Sequence, residues 1–471
     1  MKNLYDEVNS LDKRCYTQFG LTEDILMEHA SDGIAQFIKS KFKKGSSVIV
    51  ACGGSNNGAD GIALARILHN EYNVSIFYTQ KPKSEMAILQ QQRARAIGVK
   101  KCLELKNSDI LVDAIFGTGF NGEFSEEILK IMGTINSLES YKIACDIPSG
   151  VRKDGTVAKE CFVADISLTM GALKKSMFLD EAKDFVGDIK VLNLGVAREV
   201  YEIETNWKLL ESSDLKLPFR TKKDSHKGSY GHLSLIAGEK VGATILSAKS
   251  ALKFGSGLVT IITDKKQQNI PHSIMSLKTL PTNSTAIGLG MGLGREFKKK
   301  KLQRILNNNL PIIADADIFY IKAILKSILK RKNVVLTPHP KEFVELLKTT
   351  KLAKITITEL QKNRFKYVEI FCEKFPDITL LLKGANVIIA QNNNFFINPN
   401  GSSKLAKGGS GDILSGLIAS LLTQGYTPLE STISASLTHT QLAQNFKGNN
   451  FSLTPDDLIE EISNLKVNEL I

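Results

Sequence analysis

Two α/β domains in tandem is the fold class this sequence predicts, and three observations predict it. The chain has 471 residues, more than the roughly 250–300 that one hydrophobic core normally supports. Each half alternates near-continuous apolar runs with stretches of helical periodicity, the pattern of a mostly parallel sheet covered on both faces. Between about residues 200 and 228 the alternation fades into polar sequence and then restarts, which places the boundary near 205–215.

In the first half, Leu26, Met27, Ala30, Ile34, Phe37 and Ile38 recur at helical spacing and predict a helix over 22–42. A buried strand follows over 47–52, and a Gly/Asn-rich turn opens the next helix. Further strands are expected over 74–78, 110–116, 142–145, 166–170 and 189–192. The result is a Rossmann-like three-layer α/β/α domain, placed at residues 1–210. The segment Arg220-Thr-Lys-Lys-Asp224, with Pro218 and Glu211-Ser-Ser-Asp214, reads as a connection. In the second half, placed at 215–471, strands are expected over 232–237, 258–263, 286–288, 311–314, 334–336 and 379–382. An Asn-rich turn within 387–397 predicts a hairpin. A Gly-rich loop then leads into a long apolar helix. No repeat links the halves, so two different α/β domains are joined.

Composition excludes several classes. With 42% hydrophobic and 23% charged residues the chain is not globally disordered. The longest apolar run, Ile413 to Leu422, is short of the ~20 residues a membrane span needs and is broken by Ser415, Gly416 and Ser420. The start, MKNLYDEVNSLDKR, lacks the apolar core of a signal peptide, and a cytoplasmic protein is expected. Six scattered cysteines form no CxxC pair, which argues against zinc. The net charge of +12 suits phosphate-bearing metabolites as well as nucleic acid. The lysine runs at 39–44 and 298–301 read as solvated helix faces without nucleic-acid motifs, so no nucleic-acid or membrane partner is expected.

Three first-half loops fall at the ends of successive strands. They are Cys52-Gly-Gly-Ser-Asn-Asn-Gly-Ala-Asp-Gly61, Val112-Asp-Ala-Ile-Phe-Gly-Thr-Gly-Phe-Asn-Gly-Glu123 and Asp146-Ile-Pro-Ser-Gly150. Ligands of open α/β sheets bind at the carboxyl ends of strands, where these loops should meet. Glycines let backbone approach a ligand, and a helix start offers N–H groups to an anion. Asn57, Asp113 and Ser149 are hard oxygen donors able to converge on a cation, and Asp146 is placed for acid/base work. The plain alternative is a set of tight turns with Asn and Asp as caps and Asp146 as a turn former before Pro148.

These three motifs, in order and spacing, resemble the NAD(P)H-hydrate epimerase family (the YjeF N-terminal domain) over about residues 5–200. The resemblance implies that Asn56, Asn57, Gly58, Ala59 and Asp60 line the hydrate site. It implies the same of Gly117, Thr118, Gly119, Phe120, Asn121, Gly122 and Glu123, with Asp146 at the substrate. It also implies a potassium ion near Asn57, Asp113 and Ser149. Ala59 departs from the family's usual glycine. The same domain type serves as a noncatalytic scaffold in RNA-decay proteins, but retention of Asp113, Asp146 and the Asn pair argues for the catalytic version.

The strongest second-half motif is Lys407-Gly-Gly-Ser-Gly-Asp-Ile-Leu-Ser-Gly416. Gly408 to Gly411 can form an anion hole of backbone N–H groups at a helix start. Asp412 faces it, where phosphoryl chemistry places the residue that takes a hydroxyl's proton. The alternative is a Gly-rich turn with an Asp favoured by the helix dipole. Lys383-Gly-Ala-Asn-Val387, Thr337-Pro-His-Pro-Lys-Glu342, Gly288-Leu-Gly-Met-Gly-Leu-Gly294 and Ala314-Asp-Ala-Asp317 follow other strands.

With His226-Lys-Gly-Ser-Tyr-Gly-His232 and the segment 242–259, this set resembles the ribokinase superfamily. Within it, the likeness is to the ADP/ATP-dependent NAD(P)H-hydrate dehydratase family (the YjeF C-terminal domain), over about 215–465. A ribokinase-like fold is implied. So is contact of Ala243, Gly292, His339 and Asp412 with the hydrate, and of Lys383, Gly384, Ala385, Asn386, Val387 and Gly411 with the nucleotide. Departures are Met291 for Pro, Lys341 for Gly and Val387 for Thr.

The implied function is bifunctional repair. One domain interconverts the R and S forms of hydrated NADH and NADPH; the other dehydrates the S form at the expense of ADP or ATP with Mg2+, through a phosphorylated intermediate. Asp146 and Asp412 are the expected catalytic residues, and self-association is expected. The alternative is a ribokinase-like small-molecule kinase fused to a noncatalytic binding domain, because fold does not fix function.

Overall fold

The structure is a computed structural model describing residues 1–264, 269–294, 297 and 299–466. The chain forms two compact units, Asn3–Thr205 and Asn206–Ile471, the second also taking Met1–Lys2. Residues 206–210, expected with the first domain, fall in the second unit. The cause is pairing: strand Trp207–Leu209 runs parallel to Asn394–Asn398 and stacks Trp207 on Phe395.

The first unit holds a seven-stranded parallel sheet. Its order is Lys100–Lys101, Asn73–Tyr78, Ser47–Cys52, Ile110–Ala114, Tyr141–Cys145, Ile166–Met170 and Asp188–Leu192. Alternation of side chains across the strands explains the three layers. Val50, Cys52 and Val112 pack with Ile34, Ile38, Ile62 and Ala65 of helices Glu23–Lys41 and Asn56–Leu68. Ala51 and Leu111 point the other way, onto Ile128, Met132 and Ile135 of helix Glu126–Ser137. The order reverses between Ser47–Cys52 and Ile110–Ala114, and such a switch point leaves a crevice for ligand.

The second unit has a larger sheet. Met275–Leu277, Leu258–Ile262, His232–Ile236, Ala286–Leu289, Ile312–Ala314, Val334–Leu336 and Ile378–Leu382 lie side by side and parallel. The expected hairpin, Val387–Gln391 with Asn394–Asn398, is present and antiparallel, Asn392 and Asn393 taking left-handed conformations at its turn. One sheet face, with Leu235, Ile261 and Val335, packs on helices Val241–Lys253, Ser410–Thr423 and Pro428–Asn445. The alternate residues Ile312, Val334, Leu336 and Leu380 are also fully buried, so both faces are covered. The switch point lies between His232–Ile236 and Ala286–Leu289.

The apolar run 413–422 is the buried interior of helix Ser410–Thr423. Among the described residues no helix is long and apolar enough to cross a membrane. Lys298 of the second lysine run lies outside the described residues; helix Lys299–Ile305 carries the rest.

Candidate active sites

In the first unit the three strand-end loops meet. A Cβ at Gly58 would lie 2.1 Å from the Gly53 carbonyl oxygen, so the first turn of helix Asn56–Leu68 folds back on its own loop only with glycine there. A cavity of about 850 Å3 opens at the switch point. Its wall includes Asn56, Asn57, Asp60, Gly117, Thr118, Gly119, Phe120, Asn121, Gly122 and Asp146, together with Lys83 and Met170.

Asp146 ends its strand in a left-handed conformation, φ 74°, which Asp tolerates better than most residues. Its N–H donates to the Leu168 carbonyl at 3.0 Å. Its Oδ1 accepts from Thr169 Oγ1 at 3.1 Å, from the Met170 amide at 3.0 Å, and from the ammonium of the buried Lys174. Asp60 lies on the same wall. Burial first, then the charges of Asp146 and Asp12, push its carboxyl well above the usual range, with Lys174 opposing. Burial thus favours the protonated form of Asp60, which is able to donate. Asp12 is also raised by burial, while the hydrogen bond it accepts from Tyr201 Oη at 2.7 Å acts the other way.

Asp113 and Ser149 are joined beside this cavity. Asp113 Oδ2 accepts from the Ser149 amide at 2.7 Å and Oδ1 from Ser149 Oγ at 2.6 Å. Burial pushes the Asp113 carboxyl up to about 6, against the pull of these bonds. Asn57 Nδ2 is buried without a hydrogen-bond partner. Three expected residues are not on the cavity wall, and one of them, Gly58, packs against the Gly53 backbone instead. Ala59 faces the core, fully buried against Met27 and Ala87. Glu123 is exposed and ion-paired with Arg152.

In the second unit Asp412 sits in the first turn of helix Ser410–Thr423, whose N-cap Gly409 has φ 93°. Ser247 Oγ donates to its carbonyl at 2.8 Å, fixing the turn against helix Val241–Lys253. Burial, then Asp315, push the Asp412 carboxyl up to about 6, while Lys383 pulls it down. Lys383 reaches over from the end of Ile378–Leu382. A Cβ at Gly411 would lie 3.3 Å from its Nζ, and the Nζ donates to Asp315 Oδ1 at 2.7 Å. Ser415 Oγ holds the other Asp315 oxygen at 2.7 Å. The helix start therefore presents backbone N–H groups, an ammonium and a carboxyl to one region.

Gly292, φ 66°, presses on the loop before helix Val241–Lys253. A Cβ there would lie 2.1 Å from the Lys240 carbonyl oxygen, and the Lys240 amide donates to Gly292 O at 2.9 Å. That contact brings Gly292 close to Ala243, whose amide donates to the same Lys240 carbonyl. His339 caps helix Pro340–Thr350: its Nδ1 accepts from the Glu342 amide at 3.4 Å, and Glu342 Oε2 accepts from the His339 amide at 2.9 Å. Burial and Lys383 hold its imidazole below the usual value, so it is neutral near pH 7.

Comparison with known proteins follows this division. Residues 23–176 match the family described as YjeF-related protein N-terminus, and residues 233–464 match NAD(P)H-hydrate dehydratase. The chain is 43% identical over 475 residues to the Bifunctional NAD(P)H-hydrate repair enzyme Nnr of Helicobacter pylori, covering 99% of this chain and all of that one.

The chain belongs to the bifunctional NAD(P)H-hydrate repair enzyme family.

The relative of the same description from Coxiella burnetii is 31% identical over 88% of each chain. A solved structure described as ADP/ATP-dependent NAD(P)H-hydrate dehydratase from Bacillus subtilis, co-crystallised with ATP/Mg2+, is 27% identical. It covers 54% of this chain and 94% of its own, with TM-score 0.45.

The departures from the family pattern find local reasons. Ala59 faces packed side chains, where a methyl fills space that glycine would leave. Met291 is wholly buried in the core, and its carbonyl accepts from Thr244 Oγ1 at 2.8 Å. Lys341 is exposed in the first turn after the His339 cap. Val387 belongs to the core, while Gly384 and Ala385 of the same turn are exposed.

Sequence reasoning missed the side chains that hold these groups. Lys174 had one signal, a lysine pair directly after an apolar strand. Arg364 had none. It is 1% exposed, and its Nη2 donates to the carbonyls of Lys383 at 3.2 Å and Asn386 at 3.1 Å, which holds the 383–387 turn in shape. His439, buried and with its imidazole held down at about 4 by that burial, is paired with Ser410 Oγ at 3.1 Å.

Proposed function

We propose that the first unit interconverts the R and S hydrates of NADH and NADPH, and that the second removes water from the S form at the expense of ADP or ATP. The observation that carries this reading is the full-length likeness to a repair enzyme, in a chain that has an acid/base cavity in one unit and a helix-start carboxyl beside a lysine in the other.

For dehydration, hydroxide is a poor leaving group, and phosphorylation makes it a good one. Asp412, with its carboxyl near 6, is matched to take the hydrate's hydroxyl proton near neutral pH. The amides of Gly408, Gly409 and Gly411 would stabilise charge on the transferring phosphoryl group, with Lys383 alongside, while the Ser410 amide donates to the Lys407 carbonyl at 3.2 Å. Phosphate then leaves, the neighbouring ring carbon gives up its proton, and the double bond returns. Mg2+ accompanying the nucleotide would neutralise phosphate charge. Lys383, Gly384, Ala385, Asn386 and Gly411 are the proposed nucleotide contacts. Val387 supports that turn from the core.

For epimerisation, Asp146 and Asp60 face one cavity as candidate base and acid. A potassium ion fits beside them. Asp113 is wholly buried there, its oxygens accepting from the Ser149 amide and hydroxyl. The Asn57 amide, whose Nδ2 is buried without a partner, offers its oxygen there once turned over. The bound ion would supply the counter-charge. A cytoplasmic setting fits six free thiols, and the resemblance also supports self-association.

The test is near-ultraviolet absorbance of reduced nicotinamide after adding the full chain to mixed hydrate epimers with ADP, ATP or neither. Nucleotide-dependent recovery beyond one epimer's share, with release of inorganic phosphate, is expected. A stable phosphorylated product and no recovery of the band would establish a kinase instead.

A further inference from the structure

Lys174 is the least accessible ammonium in the first unit to be tied to its cavity. It is 1% exposed, at the end of the short strand Leu173–Lys174. An ammonium has three N–H donors. All three are used: one on Asp146 Oδ1, one on Thr169 Oγ1 at 2.9 Å and one on the Met170 carbonyl at 2.8 Å. Thr169 Oγ1 in turn donates to the same Asp146 oxygen. With no donor left and no exposed surface, Lys174 has nothing to offer a substrate directly, and it is absent from the cavity wall.

Its effect on Asp146 is specific. Three donors converge on Oδ1, while among the described residues Oδ2 has no hydrogen-bond partner. A carboxylate held at one oxygen cannot rotate, and its second oxygen is left for the cavity that Asp146 lines. The backbone supports this: Asp146 stands at positive φ, an uncommon conformation that persists where surrounding structure fixes it.

We propose that Lys174 is a positioning residue for epimerisation, fixing the Asp146 carboxylate through Oδ1, with Thr169 as the bridge, so that Oδ2 alone meets the hydrate. This rests on the epimerase reading of the first unit. Its energetic logic is preorganisation: a base held in place loses little on reaching the transition state, and misplacement of about 1 Å can cost about 100-fold.

The experiment uses the full chain and measures initial rates of R-to-S hydrate conversion for wild type, Lys174→Met, Thr169→Val, Asp146→Asn and the double variant Lys174→Met/Asp146→Asn. Dehydration of pure S hydrate serves as the control for intact protein. Lys174→Met is expected to lower kcat about 100-fold with KM within about threefold. Thr169→Val, which keeps the ion pair and the side-chain shape, is expected to lower kcat about 10-fold, also with KM nearly unchanged. In the Asp146→Asn background Lys174→Met should add nothing, because its effect passes through Asp146.

The proposal is overturned if folded Lys174→Met keeps wild-type kcat, if the loss lies in KM, or if Lys174→Met costs as much again in the Asp146→Asn background. Should Lys174→Met fail to fold, Thr169→Val decides: unchanged kcat overturns the proposal. Failure of the epimerase reading is distinct, since wild type itself would then convert no R hydrate while still dehydrating S.

Discussion

The two candidate sites place a carboxyl at a strand end and at a helix start, and hold them by different means. Asp146 sits in a strained turn, and its orientation depends on the side chains of Thr169 and Lys174, which come from the next strand and just beyond it. Asp412 sits in a regular helix, where backbone hydrogen bonding fixes direction and the side chain keeps more exposure to its surroundings. At the first site two side chains join the Met170 amide in holding the carboxyl, whereas at the second the helix backbone sets where the carboxyl starts. Single side-chain changes around Asp146 should propagate to its carboxylate. Around Asp412 the glycines carry the geometry and the side chains adjust charge.

The largest expected effect separates the two chemistries. Asp412→Asn should lower S-hydrate dehydration about 10³-fold, within the range for loss of a general base, while epimerisation stays at wild-type rate. Dehydration within tenfold of wild type would remove Asp412 from that role. A second test attacks the main chain of the first site. Gly58→Ala puts a methyl 2.1 Å from the Gly53 carbonyl oxygen, so the helix start must shift. Epimerisation should fall about 100-fold with dehydration intact; wild-type epimerisation would show that the loop accommodates the change without moving the cavity.

A third prediction concerns pH. The Asp412 carboxyl is raised to about 6 in the folded chain, from 3.8 unfolded. The folded state thus binds this proton more tightly, and the associated stability, full below 3.8, is lost as pH rises through about 6. Asp412→Asn removes that loss. It should stabilise the second unit by about 1–3 kcal/mol at pH 8 and not at pH 4, seen as a pH-dependent rise in Tm of its unfolding transition. An equal rise at both pH values would mean that the carboxyl is not raised. The smallest effect is Ala59→Gly, which restores the family's usual residue at a buried helical position. It should cost about 1 kcal/mol of first-unit stability and leave the epimerisation rate within about twofold of wild type. A larger change in rate would place Ala59 at the site after all.

Much of both sites was legible because the residues that touch ligand in α/β proteins sit at strand ends, where Gly, Asn and Asp break an apolar pattern. Asn57, Asp60, Gly117 and Asp146 all lie on one wall, and Lys383 reaches Gly411, as that rule anticipates. Ala59 and Glu123 show its limit. Residues within one motif alternate between facing a ligand and facing the core, and sequence spacing alone did not separate Ala59, turned to Met27 and Ala87, from its neighbour Asp60. Arg364 was invisible, and Lys174 nearly so, for a related reason. Each is a buried charge satisfied only once the chain has folded, Lys174 by Asp146 and Arg364 by the Lys383 and Asn386 carbonyls, and a Lys or Arg in a sequence ordinarily reads as surface.

By itself, then, the sequence determined the two α/β units, their strands and the strand-end loops that carry chemistry, because apolar periodicity and glycine placement are local properties. Only tertiary structure decided that Trp207–Leu209 joins the second sheet, which face of the 56–60 turn meets the cavity, and which buried cation holds Asp146. Those outcomes depend on hydrogen bonds and charge pairs between residues far apart in the chain, formed only once the sheets have brought them together.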